Sequence, residues 1–179
     1  MKVIAFTGAG ISKSAGIPTF EEIEGIKEKL SVEFREENPF EFRKAMNLLI
    51  SNVKDKEPTM AHKILAKHNV PIITMNVDNL HKLAGSSTVI EIHGNYLKDN
   101  IVLYGEEMHD AEGALNLIIN IAKEAEENNE IATLLIIGTS MQTAFAHVLA
   151  RIAKAKGMNV FFINDNADKK VELFFELID

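Results

Sequence analysis

Residues 1–20, MKVIAFTGAGISKSAGIPTF, join a short apolar run to a glycine-rich loop, and this junction decides the fold. The run at Lys2 to Thr7 is too short for a freestanding helix and is apolar on both faces, which is typical of a buried parallel strand. We expect Gly8 and Gly10 to adopt positive φ and to bring backbone N–H groups close to a ligand at the N-terminus of the next helix. The loop suits a pyrophosphate, but GAG alone is equally typical of a plain strand-to-helix turn.

The glycine spacing argues against a standard dehydrogenase. Residues 8–16 read GxGxxxxxG, whereas the dinucleotide fingerprint is GxGxxG. Dehydrogenases also place an acidic residue about 20 positions further on, after a second strand, to hold a ribose. This sequence has no obvious equivalent.

Composition predicts a soluble protein with one domain over residues 1–179. Hydrophobic residues make up 46% and charged residues 25% of the chain, and the formal net charge is −7 without a long basic run, so a nucleic-acid partner is disfavoured. The absence of cysteine excludes disulfides, a thiol nucleophile and any cysteine-ligated metal. Neither an export-type leader nor an apolar run of membrane-spanning length is present, so we expect a cytoplasmic protein without a membrane partner.

Strand and helix patterns alternate along the chain. After residues 2–7, apolar runs predict strands at 70–75, 88–92, 133–137 and 158–163, and another apolar run covers 100–104. Helical spacing of apolar residues predicts helices from Pro39, after Pro58, over 76–83, over 111–128 and over 146–156. This order predicts an α/β fold: a Rossmann-like, doubly wound parallel sheet with helices on both faces.

Small and polar residues follow each predicted strand. Because ligands of open parallel sheets bind beyond the carboxyl ends of the strands, these residues are candidates for one site. They are Gly8-Ala9-Gly10, Asn76-Val77-Asp78, His93-Gly94, Gly138-Thr139-Ser140 and Asn164-Asp165-Asn166.

These residues also carry a family resemblance. GAGISKSAGIPTF resembles the GAGxSxxSGIPDFR signature of the sirtuins, a family of NAD-dependent protein deacylases, and TMNVDNLHKLAG resembles their TQNIDxLHxxAG. EIHG, NIVLYGE, GTSMQ and FFIN resemble the later sirtuin motifs, in the family's order and across nearly the whole chain.

The resemblance implies roles for individual residues. Gly8, Ala9, Gly10 and Ser12 would line the NAD diphosphate, Gly138, Thr139 and Ser140 would hold phosphate and the adenine-side ribose, and Asn164 would lie at the adenosine end. Ile17 and Phe20 would wall the nicotinamide pocket, where Asn76, Val77 and Asp78 would contact the nicotinamide ribose and carboxamide. Val102, Leu103, Tyr104 and Gly105 would pair as an edge strand with an acyl-lysine peptide.

His93 would then be the catalytic base, acting together with Asn76 and Asp78. An imidazole with a pKa near 6.5 can accept a hydroxyl proton at neutral pH, which is the chemistry required on the ribose. A lone histidine at a strand end is more often structural, and we interpret His81 in that way. His93 is followed by glycine and accompanied by the other motifs, which favours catalysis.

The sequence departs from the family at the position of the zinc ribbon. Sirtuins usually carry two CxxC pairs between HG and VVxFGE, and here only residues 95–99 fill that space. We therefore expect no metal site and no zinc-binding lobe, which removes one wall of the peptide cleft. In the first motif, Ala15, Thr19 and Glu21 replace the usual Ser, Asp and Arg, and the acidic replacement is expected to weaken NAD binding.

Three functions stay open at this point. The first is a zinc-independent deacylase that uses NAD and an acyl-lysine protein or peptide. The second is an NAD glycohydrolase or ADP-ribosyltransferase, since an open cleft admits other nucleophiles. The third is a non-catalytic module that binds NAD or ADP-ribose. A second copy of the chain or a partner subunit could also supply the missing wall.

Overall fold

A computed structural model describes residues 1–140 and 144–178 and contains a five-stranded sheet. Its strands are β1 (Lys2–Thr7), β2 (Ile72–Thr74), β3 (Val89–Glu91), β4 (Ala132–Ile137) and β5 (Asn159–Ile163). All neighbours pair in parallel in the order β3-β2-β1-β4-β5. The order reverses between β1 and β4, so the prediction of a doubly wound parallel sheet is confirmed.

Eight α-helices are described: α1 (Ile26–Lys29), α2 (Val32–Glu37), α3 (Pro39–Val53), α4 (Met60–Lys67), α5 (Leu80–Leu83), α6 (Ala111–Glu127), α7 (Ala144–Ala155) and α8 (Ala167–Glu176). Two 3-10 helices cover Ala9–Ala15 and Tyr96–Lys98. Local sequence explains several of the helix starts. Pro39 opens α3 in the position where proline fits best, and the Thr59 and Asp110 side chains cap the first turns of α4 and α6.

The two faces of the sheet bury different residues of the same strands. Ile4 and Phe6 of β1 pack in the cluster that contains α6 and α7, and Ala5 packs in the cluster that contains α4 and α8. This alternation is the reason β1 is apolar on both sides. Helices on both faces were predicted from the strand and helix order, although no sequence signal had indicated α8.

Helices α1 and α3 form a third layer beyond the carboxyl ends of the strands. Ile26 and Leu30 pack with Ala45, Leu49 and Val77 in a separate cluster. This layer forms one side of the cavity described below.

One element boundary is predicted wrongly: residues 76–79 form a loop, and the helix predicted over 76–83 begins only at Leu80. The helix expected after the first strand is present as the 3-10 helix Ala9–Ala15. Residues 102–105 make an isolated bridge within the chain, between Tyr104 and Ser31, and their predicted pairing with a peptide stays a prediction.

Within the described ranges, no helix combines the length and apolar character needed to cross a membrane. The same residues contain no group of three or more metal-ligating side chains arranged around a point. A single domain over 1–179 stays a prediction.

Candidate active site

A cavity of about 460 Å³ opens at the carboxyl ends of the strands, where the strand order reverses. The loops that follow β1, β2, β3 and β4 all contribute to its walls, at the place where a doubly wound sheet binds its ligand. Of the predicted site residues, its walls include Ala9, Phe20, Asn76, Val77, His93, Val102, Leu103, Tyr104, Gly105, Gly138, Thr139 and Ser140.

The two glycine loops contact each other directly. The Gly10 N–H donates to the Gly138 carbonyl at 2.8 Å, and the Gly8 N–H donates to the Ile137 carbonyl at 2.9 Å. Gly8 is extended, with φ −126°. Gly138 and Gly16 are the glycines of these loops with positive φ, at 66° and 76°. The expected positive φ at Gly8 and Gly10 is therefore wrong, and their N–H groups bond within the protein instead of facing a ligand.

Close packing explains why these positions are glycine. A Cβ on Gly10 would lie 2.6 Å from the Gly138 Cα, and a Cβ on Gly8 would lie 2.8 Å from the Gly138 carbonyl oxygen. The glycines bring the two loops together, and the cavity lies beside that contact.

Ser12 links the two predicted polar residues of the loop after β2. Its buried hydroxyl donates to the Asp78 carboxyl at 2.6 Å and accepts a bond from the Asn76 amide at 3.2 Å. The same amide donates to the Gly8 carbonyl at 3.2 Å. Ser12 and Asp78 thus lie behind the cavity wall and orient Asn76, which faces the cavity.

Burial raises the pKa of Asp78, and hydrogen bonds from Ser12 and from the Leu80 N–H partly offset this effect. A carboxyl that is only 4% exposed is costly to ionise without such donors. These donors therefore fix the Asp78 side chain in place.

His93 follows β3 and lines the cavity. Burial lowers its pKa below the usual value, and a hydrogen bond to the backbone of Met75 partly opposes this. The ring is therefore neutral at pH 7 and can accept a proton. Its backbone carbonyl accepts a bond from the Val102 N–H at 2.9 Å, so the segment 100–105 holds the histidine in place.

A tight turn follows His93 where sirtuins carry the zinc ribbon. Gly94 has φ 78°, and a Cβ there would overlap the Asn100 carbonyl. Asn95 is buried; its amide donates to Glu91 and to Asn79, and its N–H donates to the Asn100 side chain. These hydrogen bonds therefore hold the residues between β3 and Asn100 in a tight turn.

A second, smaller cavity of about 30 Å³ adjoins the first. It shares Ala9, Phe20, Asn76 and Val77 with the main cavity and adds Ile17 and Asp78 to its walls. Every residue predicted for the nicotinamide pocket thus lines one of the two cavities.

Asn164 directly follows β5, is exposed, and is absent from both cavity walls. The GTSMQ motif is described only through Ser140, and Met141 and Gln142 lie outside the described residues. The predicted roles of these residues stay predictions.

The cavity also has walls that the motif comparison did not identify. Leu30, Leu49 and Ile101, from the cluster of the helical layer, and Met108, which packs against the α6–α7 cluster, give it apolar walls. Three charged residues, Lys27, Glu21 and Glu106, also line it. Leu49 follows helical spacing and Leu30 is one of a few scattered apolar residues in a charged stretch, so the sequence does not indicate which space either side chain faces.

Two histidines are buried behind the glycine loop. His81 contacts the Thr7 hydroxyl at 2.9 Å, His62 contacts the Thr59 hydroxyl at 2.7 Å, and the ring centroids are 4.5 Å apart. Burial lowers the pKa of His62 to about 4 and lowers that of His81 well below its usual value. Both rings are neutral and lie away from the cavity walls, which agrees with the structural interpretation of His81.

Comparison with known proteins places these features in a family context. A family model described as the Sir2 family matches residues 8–99. The chain is 30% identical to an NAD-dependent protein deacetylase of Thermodesulfovibrio yellowstonii, over 90% of this chain and 78% of that protein. It is 31% identical to an NAD-dependent protein deacylase of Aquifex aeolicus, over 92% of this chain and 83% of that protein.

A solved Sir2 homologue in complex with NAD has a TM-score of 0.80 at 21% identity, covering 99% of this chain and 89% of that one, which shows that the fold is shared. The alignment with the Thermodesulfovibrio protein spans 208 positions, more than the 179 residues of this chain. That relative therefore carries residues with no counterpart here.

Proposed function

The chain belongs to the Sir2 family, the sirtuins, and on this premise we propose that it is an NAD-dependent protein-lysine deacylase. In the reaction, NAD, acyl-lysine and water yield nicotinamide, lysine and acyl-ADP-ribose. The observation that carries the proposal is that His93, Asn76 and the loops after β1 and β4 all line one cavity at the reversal of strand order. A protein that only binds nucleotide has no need of a neutral imidazole at this point.

The residues present fit the cofactor. Ala9, Gly138 and Ser140 make one end of the cavity small and hydroxyl-bearing, which suits phosphate and ribose. Asn76, held by the Ser12–Asp78 pair behind it, provides an oriented amide at the boundary between the main cavity and the adjoining space lined by Ile17 and Phe20. When bound, NAD supplies an activated ribosyl carbon with nicotinamide as the leaving group.

The chain's own contribution to the chemistry is to orient groups and to move a proton. The lowered pKa of His93 keeps its imidazole neutral, so it accepts a proton from a hydroxyl group held in the cavity. The apolar walls at Leu30, Leu49 and Ile101 limit the access of water to the acyl end.

We further propose that the enzyme works without zinc. The hydrogen bonds of Asn95 with Glu91 and Asn79 close the turn after His93, in the place where a zinc ribbon would leave the sheet. A cytoplasmic location and a role for a second subunit stay predictions.

The test is release of nicotinamide from NAD by the purified protein, with and without an acetyl-lysine peptide and with mass spectrometry of the products. We expect release that depends on peptide, that yields acyl-ADP-ribose and that is unchanged by a chelator. His93→Ala should abolish release while NAD still binds, and His147→Ala, which changes an exposed histidine of α7 outside the cavity walls, is the matched control.

Each other result points to a different function. Release without peptide indicates a glycohydrolase or a transferase. Binding of NAD without release, with or without peptide, indicates a non-catalytic module. Loss of activity with the chelator would refute the zinc-independent mechanism alone.

A further inference from the structure

The segment expected to pair with a substrate peptide already uses its backbone groups within the chain. The N–H groups of Val102 and Tyr104 donate to the carbonyls of His93 and Leu30, each at 2.9 Å. The Tyr104 carbonyl accepts a bond from the Val32 N–H at 3.0 Å. In an extended segment alternate residues point their backbone groups to the same side. One edge of this segment is therefore occupied by His93 and by residues 30–32.

The opposite edge is closed by Glu106. The Glu106 carboxylate accepts a bond from the Leu103 N–H at 2.9 Å, and the Glu106 N–H donates to the Leu103 carbonyl at 3.0 Å. Arg35 lies 3.3 Å from the other oxygen of the same carboxylate, and both of these side chains are partly exposed. Both backbone groups of Leu103 are thus satisfied by one nearby residue.

Few backbone groups are left for a peptide. Across the described part of this segment, the Val102 carbonyl and the backbone groups of Gly105 are the ones without a bond to the rest of the chain. β-Strand addition takes its affinity from a ladder of main-chain hydrogen bonds, and such a ladder cannot form here.

The cavity itself is suited to a side chain. Leu30, Leu49, Ile101 and Met108 give the cavity apolar walls that would contact the methylene groups and the acyl group of an acylated lysine. His93 lines the same space. Contacts with the lysine side chain are therefore available where contacts with the flanking main chain are not.

We propose that the enzyme recognises the acyl-lysine side chain almost alone, so that its substrates include single acylated lysine residues and other short acyl-amines. The inference rests on the proposed deacylase function and adds the class of substrate. A protein lysine is accepted wherever it protrudes, with little dependence on the neighbouring sequence.

The test compares kcat/KM for two substrates with the same protein and saturating NAD. One is Nε-acetyl-lysine blocked at both ends, and the other is a peptide of about ten residues with the same lysine at its centre. We expect the two values to agree within about threefold, whereas a ladder of three main-chain hydrogen bonds would favour the peptide by about 100-fold. A peptide preference above about 30-fold would overturn the inference and leave the deacylase function intact. If neither substrate yields acyl-ADP-ribose, the deacylase function itself fails, and the inference fails with it.

A pair of variants tests the structural cause. Glu106→Ala removes the acceptor for the Leu103 N–H and should raise the peptide preference by about fivefold or more, mainly through a lower KM for the peptide. Arg35→Ala removes the ion-pair partner but leaves the bond between Glu106 and Leu103, and should leave the preference unchanged. An unchanged preference in Glu106→Ala would contradict the assignment of Glu106 as the group that closes this edge.

Discussion

The contact between the two glycine loops gives the sharpest prediction. In Gly10→Ala, the new Cβ would lie 2.6 Å from the Gly138 Cα, 2.9 Å from its carbonyl oxygen and 3.0 Å from its carbonyl carbon. Carbon atoms pack at about 3.5–4.0 Å, so the loops must separate by about 1 Å. All three atoms belong to the backbone, and no side-chain rotation relieves the overlap.

The expected cost follows from overpacking. Inserting a methyl group into such a contact costs about 1–3 kcal/mol, and alanine returns about 0.4–1 kcal/mol by restricting the unfolded chain. We expect the free energy of unfolding in urea to fall by about 1–2 kcal/mol. NAD affinity, measured by calorimetry, should fall as well, because the Gly10–Gly138 hydrogen bond lies beside the cavity.

Gly157→Ala is the matched control. Nothing lies within 4 Å of a Cβ at Gly157, but its φ is 76°, so alanine is strained there by about 1–2 kcal/mol. Gly157 precedes β5 and so lies near the amino ends of the parallel strands, whereas the cavity opens at their carboxyl ends. This variant should lose a similar amount of stability and keep its NAD affinity. If Gly10→Ala keeps wild-type stability and NAD affinity, the proposed overlap between the two loops is refuted. If both variants lose NAD affinity equally, that loss of affinity results from general destabilisation and not from the loop contact.

Two further predictions concern histidine protonation. The pKa of His62 is about 4 in the folded chain and near 6.5 when unfolded, so its neutral form favours folding above pH 6.5 and this contribution is lost as the pH falls towards 4. From His62 alone, the free energy of unfolding should fall by on the order of 1.4 kcal/mol for each pH unit in this range. The variant His62→Gln should reduce this dependence of stability on pH. An equal dependence in both proteins would contradict the assignment of the effect to His62. For His93, burial lowers the pKa. In the pH profile of kcat/KM for deacylation, the acid limb should therefore have its midpoint below pH 6.5. A midpoint at or above pH 6.5 would argue against His93 as the base.

The local pattern of apolar and polar residues in the sequence was sufficient to predict most of the strands and helices. The apolar runs at β1 and β4 are buried on both faces, so their sequence carries an unambiguous strand signal. Thr59 and Pro39 mark helix starts by mechanisms that act within one turn. The strand ends then placed Ala9, Asn76, His93 and Gly138 around one cavity.

Features that depend on distant contacts could not be predicted in the same way. The φ angles of Gly8 and Gly10 are ordinary because their role is to admit Gly138, which lies far along the chain. The run at 100–104 resembles a strand, but its partners are His93 and residues 30–32, so it forms a bridge instead of a ladder. The helix α8 is short and rich in charged residues, and only Val171 and Phe175 are buried, so few apolar positions mark it as a helix in the sequence.

The short turn after His93 and the occupied backbone groups at 102–104 are linked. With only a short turn between Gly94 and Asn100, the residues that follow pass beside the end of β3, and the Val102 N–H reaches the His93 carbonyl. That bond holds the base in place and occupies one edge of the segment, while Glu106 closes the other. The contact that positions His93 is therefore one of the two that leave this segment little main-chain capacity for recognising a substrate.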